Sequence, residues 1–228
     1  MENKNLTDSE LYESRFQLKT RRSNHRFYAA LLALLTLFLG VRAWWTGTFG
    51  GIVVDGSSML QTLFDEDNLL MKYVKDTKEL ERGDVIIVDV RDYPECGSTD
   101  FLIKRLIALE GDKVKCENGN LFIWYAGKDG YETQPLVEDY AYYKDGKKNY
   151  SFTEYEVGAG EIFFLGDNRQ NSMDSRYQEL GGSHLKNKLY KATDVYGIVP
   201  DWAIEYKEIL EVLLFHNFTE VKNTGLVK

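Results

Sequence analysis

The chain has 228 residues, 43% of them hydrophobic, which suffices for one domain of ordinary size with an appended segment, and two independent domains are not expected. Its 28 Lys+Arg against 36 Asp+Glu give a formal net charge of -8, which argues against nucleic acid as a partner. A mean hydropathy of -0.39 averages a polar body with one very apolar run, and that run sets the class.

Residues 1–26 carry a basic cluster, Lys19, Arg21, Arg22 and Arg26, and precede the apolar run Phe27 to Trp45. Within the run only Thr36, Gly40 and Arg42 resist hydrocarbon. Its length approaches the roughly 20 residues a helix needs to cross a bilayer. Tyr28 at one end and Trp44 and Trp45 at the other suit the two headgroup belts. A buried core helix and a cleaved signal sequence are the rivals. An all-round apolar helix flanked by aromatics fits lipid better than a core, and Arg42 Ala43 Trp44 Trp45 does not offer the small-residue pattern of a cleavage site. The reading is a transmembrane anchor over 27–45. Thr46 to Met71 holds no lysine or arginine, so the basic side is expected in the cytoplasm and 46–228 outside. With the residues before the span and Arg42 set aside, 21 Lys+Arg face 32 Asp+Glu, so the external part is the acidic one.

Past the anchor the chain reads as mostly β. Short apolar or β-branched runs lie at Ile52 to Val54, Val85 to Val90, Phe101 to Leu109, Leu121 to Tyr125, Ile162 to Leu165 and Val195 to Val199, divided by Gly, Asp and Asn turns. Residues 115–160 are rich in tyrosine, glycine and charge and alternate weakly, which predicts a smaller β subdomain inserted into the main sheet. Trp202 to Phe215 places apolar residues at helical spacing and is expected to be an amphipathic helix packed on the domain. Cys96 and Cys116 both fall in the external part; a disulfide and two separate thiols remain open, and no third ligand offers a zinc site.

Chemistry concentrates at three points. Ser58 follows an apolar strand and a tight Asp55 Gly56 Ser57 corner, where a hydroxyl is usefully exposed. Lys104 alternates with Leu102 and Leu106 along one strand face, and aliphatic surroundings lower a lysine from its reference pKa of about 10.4 toward the range of a base. Taken alone, Lys104 also fits a solvated strand lysine. The block Gly166 Asp167 Asn168 Arg169 Gln170 Asn171 Ser172 Met173 Asp174 Ser175 Arg176 packs small polar residues and charge pairs after a strand. An ordinary polar turn would use the same residue types. His25 precedes the span, and His184 and His216 sit in stretches without a site motif, so a histidine base is not expected.

Four blocks in order, Asp55 to Leu63, Arg82 to Val88, Lys104 to Asp112 and Gly166 to Arg176, resemble the type I signal peptidases, membrane-bound Ser-Lys enzymes, in their single-anchor Gram-positive form. The resemblance implies a β-sheet catalytic domain that cuts signal peptides from exported precursors after small residues, without cofactor or metal. Its partners would be those precursors, the lipid bilayer and the export machinery. By position it implies Ser58 as nucleophile, Lys104 as general base and Ser172 as the serine that orients the lysine. Arg105, Asp167, Asp174 and Arg176 would support the site, and the Ser58 N–H would be one oxyanion donor. Met59, Leu60, Leu63 and Phe64 beside the nucleophile are candidates for substrate or membrane contact and fit core packing equally. Gln61 stands where the family usually has proline, and Gly181 Gly182 Ser183 His184 and the tail from Asp201 depart from its usual ending. These departures fit a narrowed substrate range. The alternative is an inactive or substrate-restricted assembly factor for surface or pilus proteins. A self-cleaving repressor shares the chemistry, but no DNA-binding module is visible.

Overall fold

The structure, a computed structural model, describes residues 7–93, 96–177 and 190–215. The chain divides into two compact units between Thr48 and Phe49. The first is one helix, α1 (Asp8–Thr46), started where Thr7 N–H donates to Glu10 Oε2 at 2.8 Å. It is the one helix among the described residues long and apolar enough to cross a membrane, and none of its residues is buried.

The second unit is mostly β. Seven strands form one antiparallel sheet: β1 (Phe49–Val53), β2 (Asn68–Tyr73), β3 (Val85–Asp89), β4 (Phe101–Leu109), β8 (Glu161–Leu165), β9 (Tyr190–Lys191) and β10 (Val195–Val199), in the order β1-β2-β10-β3-β4-β8-β9. Between β4 and β8 in the chain, β5 (Lys113–Glu117), β6 (Asn120–Trp124) and β7 (Phe152–Glu156) make a second sheet in the order β6-β5-β7. The strands expected at Phe101–Leu109 and Val195–Val199 have those bounds. β2, β5, β7 and β9 are additional. In β5, Val114 and Cys116 alternate inward while lysines face outward, a period of two hidden by the charged residues between them.

Alternation divides the core into layers. On β3, Val85 and Ile87 enter one apolar cluster and Ile86 and Val88 another; on β4, Ile103 joins the first cluster and Leu102 and Leu106 the second. A third cluster joins Ile107, Ala108, Phe163 and Leu165 of the large sheet to Val114, Cys116, Leu121 and Ile123 of the small one. Both faces of β4 are therefore covered, and any polar side chain on it is held out of water. Cys96 lies in the second cluster and Cys116 in the third, and they are not joined by a disulfide.

The expected continuous helix over Trp202 to Phe215 is instead broken into α3 (Asp201–Glu205), α4 (Lys207–Leu210) and a π-helical turn, Glu211–Phe215. Tyr206, at φ -104 and ψ 22, separates the first two. The break lets Ile204, Leu210 and Leu214 all pack on the first cluster while Trp202, Ile209 and Leu213 stay exposed, because these apolar positions circle more than one stripe of a straight helix. His184 and His216, with the Gly181 to His184 departure, lie outside the described residues.

Candidate active site

Strand β1 delivers the chain into a loop closed on itself by Val54 N–H to Asp67 O at 2.9 Å and Glu66 N–H to Val54 O at 2.8 Å. Gly56, at φ 95, makes the corner and its N–H donates to Asp65 Oδ1 at 2.7 Å. Met59 and Leu63, 1% and 0% exposed, plug the loop into the first core cluster, and Leu63 N–H donates to Met59 O at 2.8 Å. Burial this complete closes lipid contact to both. Leu60 is half-buried and Phe64 exposed, so only these two of the four apolar neighbours reach the surface. Gln61 has φ 78, a left-handed conformation that proline cannot adopt, which accounts physically for a non-proline residue in a loop of this shape.

The plugged loop presents Ser58 to β4. Lys104 Nζ lies 2.8 Å from Ser58 Oγ and donates to Ile103 O at 2.8 Å. Lys104 shares its sheet face with Leu102, Leu106 and Ile86, its cross-strand partner, and is 2% exposed. Burial pushes its pKa from 10.5 down to about 8, against the upward pull of Asp174, Asp167 and Cys96. A neutral amine with one N–H spent on Ile103 O keeps its lone pair for the Ser58 O–H.

The block after β8 surrounds this pair. Arg105 grips Asp167 with two hydrogen bonds of 2.8 and 2.7 Å and donates to Gly83 O at 2.8 Å, while Thr62 Oγ1 donates to Asp167 Oδ2 at 2.6 Å. Arg176 grips Asp174 likewise at 2.8 and 2.7 Å; burial pushes the Asp174 carboxyl up, and its hydrogen bonds and the Arg176 charge bring it net below its usual value. A Cβ on Gly166 would stand 2.1 Å from Ser172 Oγ and 2.6 Å from Ser58 O, so only glycine fits between them.

The hydrogen bond to Lys104 expected of Ser172 is not formed in this structure. Its Oγ is buried and makes no hydrogen bond, to Lys104 or to any other described residue. It stands near enough to Asp174 to contribute to the lowering of that carboxyl, but outside hydrogen-bond geometry. Ser58 Oγ and Ile103 O are the partners that Lys104 Nζ has instead.

Two asparagines for which the sequence suggests no role hold the Ser58 loop. Asn168 N–H donates to Ser58 O at 2.9 Å and its Nδ2 to Ser57 O at 3.0 Å; Asn171 Nδ2 donates to Ser57 Oγ at 3.0 Å. The density of Asn in the block was the available signal; the target, more than 110 residues earlier, was not visible.

Among the described residues no three His, Cys, Asp or Glu side chains converge as metal ligands would. A cavity of about 320 Å³ lined by Tyr73, Asp89, Asp92, Tyr93, Asp194 and Tyr196 contains neither Ser58 nor Lys104, and a buried amine within hydrogen-bond reach of a serine hydroxyl is the stronger mark of a site.

The model of a family described as signal peptidase, peptidase S26, matches residues 25–200. Signal peptidase I P of Bacillus subtilis subsp. natto is 37% identical over 173 residues, covering 75% of this chain and 83% of that protein. Signal peptidase I U of Bacillus subtilis (strain 168) is 37% identical over 130 residues, 54% of this chain and 63% of that one. The crystal structure of a signal peptidase I from Enterococcus faecalis V583 is similar at 26% identity and a TM-score of 0.38, covering 53% of this chain and 97% of that one.

Proposed function

This chain belongs to the signal peptidase family, peptidase S26, and on that premise we propose that it is a membrane-anchored serine endopeptidase that removes N-terminal signal peptides from exported precursors after small residues. The observation that carries the reading is Ser58 Oγ at 2.8 Å from a buried Lys104 amine whose pKa burial has brought to about 8. Neutral Lys104 accepts the Ser58 proton as Ser58 Oγ attacks the scissile carbonyl, and the ammonium returns that proton to the leaving amine. The ester left on Ser58 is hydrolysed by a water that Lys104 deprotonates, which regenerates both side chains. The Ser58 N–H supplies one hydrogen bond to the oxyanion.

The substrate binds extended. Strand β1 supports this, because it is an edge strand of the large sheet and runs directly into the nucleophile loop. The apolar part of α1 is the anchor, with the basic cluster Lys19 to Arg26 in the cytoplasm and the β unit outside. The partners are secretory precursors and the bilayer, in reach of the export machinery. Ser172, whose buried Oγ has no hydrogen-bond partner among the described residues, is the group that orients the lysine amine toward Ser58, while Arg105, Asp167, Asp174 and Arg176 hold the framing strands.

The test is cleavage of a signal-peptide precursor by the full-length protein in detergent, against Ser58→Ala and Lys104→Ala. Both variants are expected to lose at least about 10³-fold in kcat/KM while remaining folded. Native protein as inert as the two variants across several precursors would overturn the reading in favour of an assembly factor.

A further inference from the structure

Asn168 stands between two parts of the fold. On one side it holds Ser57 O and Ser58 O. On the other it pairs with Tyr142, in the segment that joins β6 to β7: Tyr142 N–H donates to Asp167 O at 2.7 Å and Arg169 N–H to Tyr142 O at 3.1 Å. This one-residue bridge is locked by a buried ion pair. Glu138, from the same segment, accepts two hydrogen bonds from Arg169 at 3.0 and 2.5 Å, with side-chain exposures of 5% and 0%. Arg169 in turn donates to Gly166 O at 3.1 Å and receives Arg176 Nη1 on its own carbonyl at 3.0 Å. Every residue from Asp167 to Arg169 is thus tied to the inserted segment or to the loop that bears Ser58.

We propose that Glu138 is a positioning residue for Ser58: it fixes Arg169, and through the backbone of Gly166 to Asn171 it holds Asn168 and Asn171 on the nucleophile loop. The inserted segment then sets the aim of the nucleophile without touching substrate. A bidentate pair is suited to this task because it fixes direction as well as distance. The proposal rests on Ser58 being the nucleophile.

Two variants of the full chain test it. Glu138→Gln removes the charge; Glu138→Asp keeps the charge beside Arg169, and so preserves folding, while drawing the carboxylate back from one of its two hydrogen bonds. Both are read by kcat and KM on a precursor and by hydrogen exchange. The expected result is a loss in kcat of at least about tenfold for Glu138→Gln and about threefold for Glu138→Asp, with KM within twofold. Exchange of the Asn168 amide and of Met59 to Leu63 should speed by at least tenfold while β3 and β4 amides keep native protection. A kcat within twofold of native per folded molecule, or protection lost evenly across β3 and β4, would overturn it, since either marks a merely structural pair. If the native protein proves inert on every precursor, the function reading fails by that fact, and the exchange pattern still decides whether Glu138 governs the Ser58 loop.

Discussion

Lys104 and Arg105 are neighbours on β4, 2% and 7% exposed, yet their surroundings make them opposite kinds of cation. Arg105 meets Asp167 face to face, with Thr62 and Gly83 O taking up the remaining directions and the Tyr140 ring 4.0 Å from its guanidinium carbon. Lys104 meets a hydroxyl, a carbonyl and aliphatic carbon, with no carboxylate in ion-pair distance among the described residues. A buried cation with a carboxylate partner stays charged and cross-links the fold. A buried cation without one is pressed toward its neutral form, and that is what makes it a base. One strand therefore carries a paired cation and an unpaired one, side by side, and on the proposed function the second is the base.

The largest effect expected from this contrast is a difference of sign. Arg105→Met leaves the Asp167 carboxylate, wholly buried, with Thr62 alone, and should destabilise by about 3–5 kcal/mol. Lys104→Met removes a charge that folding disfavours. A fall from 10.5 to about 8 corresponds to about 3 kcal/mol, and loss of two hydrogen bonds offsets part of it. A net stabilisation of about 2 kcal/mol at pH 7, with cleavage abolished, is the outcome to look for in paired thermal melts. If both variants destabilise alike, the distinction between the two cations collapses.

How much of this was legible in the sequence follows from the distance over which each feature is determined. Strands β3 and β8 hold continuous apolar runs bounded by Asp or Gly, β4 is apolar but for Lys104 and Arg105, and such runs, buried on both faces, declare themselves, while β10 shows through its β-branched Val195, Ile198 and Val199. β2 is less legible because its short apolar core, Leu69 to Met71, holds no β-branched residue, unlike the equally short Ile52 to Val54. β7 is obscured because Phe152 and Tyr155, its buried residues, are not two apart. In the site, Ser58 and Lys104 were legible through the order of four blocks, not through either residue's own surroundings. The contacts of Asn168, Asn171 and Glu138 were not, since each depends on a partner brought close only by the completed fold. Ser172 is the reverse case: its position in the block was clear, whereas its hydroxyl makes no bond to the lysine.

A pH series sharpens the contrast with a smaller effect. Lys104 has its pKa lowered on folding, so below about 8 the folded state bears the full cost of the buried charge, and the cost fades as pH rises toward the unfolded value of 10.5. The stability advantage of Lys104→Met should accordingly be greatest at pH 7 and vanish by about pH 10.5. Activity should track the same group from the other side, falling about tenfold per pH unit below about 8 as the amine takes up a proton. A rate profile flat from pH 6 to 9 would sever the link between burial and base.

The smallest effect lies at Gln61, on the turn that joins the two halves of the comparison: Ser58, three residues before it, meets Lys104, and Thr62, next after it, meets the carboxylate of Asp167. At φ 78 a glutamine costs about 1 kcal/mol relative to glycine, so Gln61→Gly should stabilise by up to that amount, less the entropy that glycine gains when unfolded. Gln61→Pro must swing φ to about -65° and cannot leave both contacts in place. If the turn is what holds Ser58 and Thr62 at their separate partners, the proline variant should lose activity and stability together while the glycine variant loses neither. Equal activity in both would show that Ser58 finds Lys104 without the turn, and that the clamp from Asn168 and Asn171 is sufficient to aim it.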